Sequence, residues 1–313
     1  MAAPVARQAR SRTRSGPGGR RRARRALTGY LFVAPFLLGF VAVLVLPLGY
    51  AFYISLFRSR LVGGTVFVGL ANYAAALSDS LFLQGMRRVT GYLLFQAPVM
   101  LGLALFFALA LDSGRVRFVR FIRLGMFVPY AVPSVVAALM WGYLYGPSFG
   151  IFAEIARDIG VKPFGFLSSR WMLGSIANIV WWEFIGYTMV VIYAALQAIP
   201  TELYDASAVD GAGPLRTAWS LKIPMILPVL QLLAFFAVIG AFQLFSEPNI
   251  MAAISPTVIG NSYTPNLYAY NLVFTDQEPN YAAAISFLVG FVILVFSYVL
   301  IFSMNRRGRD RRR

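Results

Sequence analysis

The chain has 313 residues, of which 59% are apolar and 13% charged, and its formal net charge is +16. This composition is far from that of a soluble domain and indicates several membrane spans. Cysteine and histidine are absent, which excludes thiolate and imidazole metal sites, cysteine nucleophiles and Ser-His-Asp triads. Neither of the two lysines lies in a Gly-Lys-Ser/Thr phosphate loop. We therefore predict no enzyme activity, cofactor or metal in this chain.

The positive charge is concentrated at the two ends of the chain. Residues 1–25 hold nine arginines and no acid, and residues 306–313 hold six arginines against Asp310. Nucleic-acid binding usually requires a folded basic face or stacking aromatics, whereas these arginines lie in short Gly/Ser/Pro-rich stretches beside apolar runs. We therefore predict a disordered basic tail over 1–28, a second basic tail over 306–313, a lipid bilayer as their partner and no nucleic acid.

Six apolar runs are long enough to cross a bilayer, since about 20 apolar residues in a helix span its hydrocarbon core. In chain order they are 30–53, 89–111, 124–145, 173–196, 223–246 and 281–304. The first run is too long for the apolar core of a signal peptide and no small-x-small cleavage site follows it, so we expect an uncleaved anchor. The predicted fold class is all-α, a polytopic membrane protein with one six-helix transmembrane domain over 29–305.

The distribution of basic residues predicts the orientation. Six spans place both termini on one side, and if that side is cytoplasmic, 21 basic residues lie inside and seven outside. The loop 247–280 has three acids and no base, as an outside loop should. By the positive-inside rule, both termini and the segment 200–224 are cytoplasmic.

The segment 200–224, which contains "ELYDASAVDGAGPLRTAWSLKIP", is the least apolar stretch between two spans. Thr201 is expected to cap a helix whose first turns carry Glu202 and Asp205 near the positive end of the helix dipole. Asp205 is an alternative capping residue. Gly211 and Gly213 are expected to end this helix.

A second short helix is expected over 215–221, with Pro214 in its first turn and Pro224 closing it at the membrane. The whole segment is therefore predicted to be a helix–turn–helix elbow, which we call the elbow. Its shape alone fits two interpretations equally well: a connection between spans and a docking surface.

The residues of the elbow resemble the cytoplasmic EAA loop of bacterial ABC importer permeases, which reads E-A-A, three residues, G, nine residues, I-x-L-P. Here Asp205-Ala206-Ser207 is followed after three residues by Gly211, and after nine more by Leu221-Lys222-Ile223-Pro224. The resemblance implies that the elbow docks on a separate ATPase subunit. The coupling residues that it implies are Glu202, Asp205, Ala206, Ser207, Asp210, Gly211, Leu221, Ile223 and Pro224.

The resemblance covers nearly the whole chain past residue 28 and narrows to the larger permease subunit of the maltose- and glycerol-phosphate-type importers. It is carried by "APFLLGFVAVLVLPLGYAFYISLF", "FVGLANYAAALSDSLF", "RFIRLGMFVPYAVPSVVAALMWGYLYGPSFGIF" and "AALQAIPTELYDASAVDGAG". One departure is "MAAISPTVIGNSYTP", where the family often has a Gly-rich TGGGP turn. Because this departure lies on the expected outside, it bears on the substrate class more than on the function.

The family implies a type I importer permease fold in the bacterial plasma (inner) membrane. It also implies a second permease subunit forming a heterodimer, two ATPase subunits that bind ATP and Mg, and an extracellular or periplasmic sugar-binding protein. ATP binding would close the ATPases and convert the permease pair from inward-open to outward-open. The solute implied is a sugar or oligosaccharide.

Glu183 is the only charged residue within a predicted span, and an ionisable residue at such a position is a functional candidate. It follows Trp181 and Trp182, whose aromatic faces suit sugar C–H groups. The alternative is that Glu183 lies near a helix end or pairs with the partner permease and only fixes packing. Further candidates for a substrate path, which serve equally well as hydrogen bonders between helices, are Tyr187, Gln243, Ser246 and Asn249.

A secondary transporter or a channel for a small solute is the alternative function. Such proteins are expected to show inverted repeats or several buried ionisable residues. The sequence shows one intramembrane carboxylate and no evident repeat, and this alternative leaves the elbow pattern unexplained.

Overall fold

The structure, a computed structural model, describes residues 30–60 and 63–310, with only the backbone given at 301 and 303–310. The predicted tail at 1–28 and residues 311–313 lie outside the described residues. The described elements, in chain order, are α1 (Tyr30–Ser55), β1 (Phe57–Arg60), β2 (Gly64–Phe67), α2 (Ala71–Ser78), α3 (Ser80–Asp112), α4 (Val119–Phe127), α5 (Ser134–Leu144), α6 (Ile151–Asp158), α7 (Met172–Gln197), α8 (Thr201–Val209), α9 (Pro214–Thr217), α10 (Ile223–Phe242), α11 (Ser246–Ile254), α12 (Pro265–Phe274) and α13 (Pro279–Asp310).

The described chain divides into two units, one up to Tyr53 and one from Ile54 onward. The first unit contains most of α1, an apolar helix whose best window has a mean hydropathy of 2.7. A π-helical turn at Val41–Val45 precedes Pro47. Because proline has no N–H to donate to the preceding turn, a wider turn at this point lets the helix continue.

In the second unit α3, α7 and α10 pack against one another, and α13 packs against α10, α12 and α2. Two buried clusters lie along the three central helices. The elbow-side cluster lies towards the ends of α3 and α7 and the start of α10; its members are Ala104, Ala108, Leu111, Met189, Ile192, Leu196, Ile199, Ile226 and Leu233. Many large apolar side chains face outward instead, as expected of helices whose solvent is lipid.

The α-helical prediction is confirmed, with a single antiparallel hairpin, β1 paired with β2, as the only sheet within the described residues. The hairpin is tied to α2 by Asn72, whose side-chain amide donates to the carbonyl oxygens of Ser55 and Phe57 at 2.8 and 2.7 Å. By length and composition, five described helices can cross a membrane, and six if the bent pair that contains α4 and α5 counts as one span.

The second span was predicted to begin at residue 89, but α3 begins at Ser80. The Asp79 side chain accepts a hydrogen bond from the backbone N–H of Leu81 at 2.9 Å and so caps the helix. Arg88 is accommodated inside the helix because it donates to the carbonyl oxygen of Tyr263 at 2.7 Å and lies over that ring. The position of Arg88 in the sequence therefore does not mark the start of α3.

The third span was predicted as one run, 124–145, but the chain bends by 97° between Val119–Ala131 and Ser134–Leu144. Pro129 and Pro133 flank the break, and each removes a backbone donor and restricts the residue before it. The end of α4 lies against α7 at Gly186, where a Cβ would be only 1.6 Å from the Met126 carbonyl oxygen. Only glycine permits this approach.

The prediction of a separate short helix over 215–221 was wrong. The chain runs from α9 through a π-helical turn, Ala218–Lys222, directly into α10, and Pro224 lies in the first turn of α10 instead of ending a helix. The π-helical turn before Pro224 accommodates a residue that has no backbone N–H to donate to the preceding turn. The helix of the fifth span ends at Phe242, four residues before the predicted end, and Ser246 begins α11, although one candidate span, Pro214–Ile254, covers both helices.

Candidate functional site

The first candidate site is the elbow, whose main element is α8. The helix begins after Pro200, and Thr201 is its first residue; no side chain caps it, so the predicted capping by Thr201 or Asp205 was wrong. The helix ends at Val209, and Gly211 has φ +68°. Its N–H donates to the carbonyl of Ala208 at 3.0 Å. The predicted glycine turn at the end of the helix is therefore confirmed, since a residue with a Cβ rarely adopts this conformation.

Most of the predicted coupling residues lie on the surface of the elbow. Glu202, Asp205, Ala206, Asp210 and Gly211 are exposed, and no atom lies within 4 Å of the place where a Cβ on Gly211 would be. The remaining four lie on the inner side or at the start of α10: half-buried Ser207, Leu221 and Ile223, and exposed Pro224.

Two features of this surface follow from the fold and were missed in the sequence. Val209 is an apolar side chain that is 88% exposed at the end of α8. The Ser207 hydroxyl lies 3.2 Å from the Thr217 hydroxyl and links the two arms of the elbow. The elbow therefore presents carboxylates, small residues and several apolar side chains outward, among them Val209, Leu215 and Trp219, while its two arms are linked on the inner side.

The elbow is tied to the helix bundle by a polar cluster around Asp112, the last residue of α3. Lys222 forms an ion pair with Asp112 at 2.5 Å, and the two side chains are 12% and 6% exposed. Gln197, at the end of α7, donates to the other carboxylate oxygen at 2.7 Å, and the Lys222 ammonium lies 5.0 Å from the ring centre of Tyr204 on α8. Burial, together with the negative charge of Asp112, raises the pKa of Tyr204. We call these four residues the Asp112 cluster.

The Asp112 cluster connects α3, α7, α8 and the start of α10. No sequence pattern showed it, because its ion pair joins residues 110 positions apart. The only signal was that Asp112 and Lys222 each bound an apolar run. Beside the cluster is an open groove of about 670 Å³, which the elbow forms with the ends of α3 and α7.

The second candidate site is a cavity of about 430 Å³ within the second unit. Four of the six predicted path residues line it: Glu183, Tyr187, Gln243 and Ser246. Trp182 and Asn249 are not among its lining residues. The Trp182 ring instead packs edge-on against Trp141, with the centroids 6.0 Å apart.

The cavity has polar lining residues that sequence reasoning missed. They are Tyr92 and Gln96 on α3, Tyr130 and Ser134 at the break between α4 and α5, Thr188 on α7, and Glu247 on α11. Glu247 is 7% exposed and Glu183 is 4% exposed. The sequence therefore undercounted the buried carboxylates, since Glu247 was assigned to the outside loop that follows the fifth span.

The cavity wall combines aromatic and polar groups. The rings of Tyr130 and Tyr187 stack with centroids 4.6 Å apart and planes within 17°. One carboxylate oxygen of Glu183 and the hydroxyl of Tyr92 are buried without a hydrogen-bond partner among the described residues. Within the same part of the chain, no group of three or more acidic side chains is placed to hold a metal. The lining of the cavity suits binding of an organic solute by hydrogen bonds and ring contacts.

The chain is similar to known transport proteins both in sequence and in fold. Residues 100–312 match the family described as "Binding-protein-dependent transport system inner membrane component". The arabinooligosaccharides transport system permease protein AraP of Bacillus subtilis (strain 168) is 29% identical over 277 residues, 86% of each chain. The sn-glycerol-3-phosphate transport system permease protein UgpA of Shigella flexneri is 32% identical over 271 residues, 86% of this chain and 91% of that one.

The fold matches a solved bacterial ABC transporter involved in the import of the acidic polysaccharide alginate. The TM-score is 0.81 at 17% identity, over 91% of this chain and 98% of the other. A second structure, of the alginate transporter in complex with a periplasmic protein bound to an alginate pentasaccharide, matches with a TM-score of 0.81 at 18% identity. At such identities the likeness concerns the fold.

Proposed function

This chain belongs to the family of binding-protein-dependent transport system inner membrane components, and from this premise we propose that it imports a sugar or oligosaccharide and couples ATPase closure to transport through the elbow. It is a multi-pass membrane protein with the type I ABC importer permease fold. The sugar is proposed because a relative that covers most of the chain is named for an oligosaccharide. A transport role without chemistry of its own agrees with the transport permeases among its relatives.

The proposed assembly has four kinds of component. This chain pairs with a second permease subunit, two ATPase subunits bind ATP and Mg on the cytoplasmic side, and a binding protein delivers the solute from outside. Both termini and the elbow are assigned to the cytoplasmic side. The distribution of arginine supports this orientation, because most basic residues then lie inside.

The observation that carries the coupling proposal is the geometry of the elbow. Its outward face is a short helix with exposed Asp205 and Ala206, and the turn at Gly211 has open space around it. A partner backbone can therefore approach the turn closely, and the exposed Val209 provides an apolar contact. The opposite, inner face is fixed to the bundle by the Asp112 cluster.

The Asp112 cluster provides a route for movement of the elbow. A displacement of α8 acts on the ends of α3 and α7 and the start of α10, and these three helices also line the cavity. Closure of the ATPases would thus favour one of two arrangements of the helices around the cavity. Transport then follows from the different affinities of the two arrangements for the solute.

The first experiment is affinity purification of the tagged chain in mild detergent, with mass spectrometry of the proteins that accompany it. Recovery of a Walker-type ATPase together with a second multi-span permease is the expected result. Recovery of the chain alone or as a homo-oligomer would contradict the proposal and favour a secondary transporter or a channel.

The coupling step has a separate test in Gly211→Asp. Aspartate tolerates a positive φ better than most residues, so the variant places a charged side chain in the open space with little backbone strain. We expect it to insert and assemble but to lose ATP-driven uptake while ATP hydrolysis continues. Gly213→Asp is the matched control, because Gly213 is at the N-cap of α9 with extended backbone, where aspartate is favoured. Unchanged uptake by Gly211→Asp would contradict the coupling role.

A further inference from the structure

The cavity wall has acidic side chains and no basic ones. Two of its lining residues, Glu183 and Glu247, are acidic, and none is lysine or arginine. They come from different helices, α7 and α11, and both are less than a tenth exposed. An anion bound there would find no cationic partner in the wall, and it would be repelled by each carboxyl group that is ionised.

Two buried polar atoms of this wall have no partner among the described residues. These are one carboxylate oxygen of Glu183, which is an acceptor when ionised, and the hydroxyl of Tyr92, which both donates and accepts. Both residues line the cavity. Unpaired polar groups are unfavourable in a buried position unless a ligand or water completes their hydrogen bonds. A solute hydroxyl or ammonium group could complete these bonds by donating to the Glu183 oxygen or to the Tyr92 hydroxyl.

The remaining wall suits the apolar faces of a sugar ring. Tyr130 and Tyr187 present a stacked pair of rings, and Gln243 adds both donor and acceptor capacity. The volume of about 430 Å³ is within the range of roughly 300–1,000 Å³ that is usual for small-molecule sites.

We propose that the solute is a carbohydrate without acidic groups, either neutral or amine-bearing. Its hydroxyl or ammonium groups donate hydrogen bonds to Glu183 and Glu247, and anionic sugars are excluded from this cavity. This inference rests on the proposed sugar-import function. It separates the chain from the fold match, whose substrate is named as an acidic polysaccharide, and from the relative named for glycerol 3-phosphate. Those names therefore do not predict the solute of this chain.

The test measures binding to the purified membrane complex without the binding protein, so that only the cavity selects. The probes are cellobiose, which is neutral, the disaccharide of glucosamine, which bears amines, and digalacturonate, which is anionic. We expect the complex to bind cellobiose or the glucosamine disaccharide. We expect the affinity for digalacturonate to be lower by a factor of at least about 10. Preference for the glucosamine disaccharide identifies ammonium groups as the donors, and equal binding identifies hydroxyls.

The Glu183→Gln/Glu247→Gln double variant tests whether the two carboxylates are responsible. It keeps the shape of both side chains, and we expect binding of the preferred probe to weaken about 10-fold or more. Glu154→Gln is the matched control, because Glu154 is an exposed carboxylate on α6, outside the lining of the cavity. Gel filtration checks that each variant assembles.

Two results would overturn the inference. One is digalacturonate binding as tightly as the other probes, and the other is equal affinity in the double variant and the unmodified complex. Failure of the sugar-import function has a different signature, since it would appear as a chain that does not co-purify with an ATPase. The inference about charge can thus fail while the import function stands.

Discussion

The ion pair between Lys222 and Asp112 gives a quantitative prediction about how the elbow is held. Lys222→Met keeps the length and apolar stem of the side chain but removes the ammonium group. The Asp112 carboxylate, only 6% exposed, then keeps the hydrogen bond from Gln197 and loses its cationic partner. The variant therefore leaves a nearly buried negative charge incompletely compensated.

The expected cost follows from the burial of the pair. Removing one partner of a fully buried pair costs about 3–5 kcal/mol. Because Lys222 is 12% exposed and Gln197 continues to donate to Asp112, we expect the lower end, about 3 kcal/mol. The double variant Lys222→Met/Asp112→Leu removes both charges, and its cost should be smaller than that of Lys222→Met alone, by about 2 kcal/mol.

The assay is equilibrium unfolding of the purified protein by SDS in mixed micelles, followed by circular dichroism. Arg216→Met serves as the control, because Arg216 is an exposed cation on the elbow and its loss should change the free energy of unfolding by no more than about 0.5 kcal/mol. A cost below about 1 kcal/mol for Lys222→Met would show that water screens the pair. A double variant as unstable as Lys222→Met would refute the reasoning about charge compensation.

Three further predictions concern other parts of the molecule. Gly186→Ala should cost about 1–3 kcal/mol or more in the same unfolding assay, since its Cβ would overlap the backbone of α4. Gly174→Ala on the same helix is the control and should be neutral or stabilising, because the nearest atom to its Cβ would be 4.0 Å away. Equal effects of the two variants would contradict the close approach at Gly186. Burial raises the pKa of Asp79, but hydrogen bonds from two tyrosine hydroxyls and backbone N–H groups outweigh this effect, so the pKa lies below its ordinary value of 3.8. The ionised Asp79 therefore stabilises the folded protein above that value, and this contribution is lost as pH falls through the lowered pKa. Unfolding midpoints measured from pH 5 downward should fall more steeply for the unmodified protein than for Asp79→Asn, and parallel curves would count against this. Val209→Ser should leave stability within about 0.5 kcal/mol and weaken ATPase recovery in the affinity purification, and full recovery would remove Val209 from the docking surface.

Local sequence patterns predicted the features that depend on neighbouring residues. The turn at Gly211 follows from a glycine after a short polar helix, and the apolar runs follow from composition. The sequence left a break at Pro129 or Pro133 open, because a proline in a membrane helix is compatible with either a kink or a straight continuation. Which one occurs depends on what packs beside it, in this case Gly186 on α7.

The parts that sequence reasoning missed depend on contacts between distant segments. Glu247 was assigned to a loop because it follows an apolar run, but α10 ends early and α11 turns its first residues toward the cavity. Trp182 follows Trp181 in the sequence, yet neither ring lines the cavity. Trp182 contacts Trp141, and Trp181 donates to the carbonyl of Gln96 at 3.0 Å. The direction in which such a ring points depends on how its helix is rotated relative to the neighbouring helices. A single sequence does not give this rotation.

The break between α4 and α5 has a consequence for hydration of the protein interior. Tyr130, beside the break, stacks on Tyr187 near the middle of α7, so the chain leaves its helical path away from both ends of that span. Backbone that is not helical at this depth is tolerated only where protein covers it or water reaches it. The break residues Tyr130 and Ser134 line the cavity, so the polar groups of the break can form hydrogen bonds with whatever enters it, water or solute.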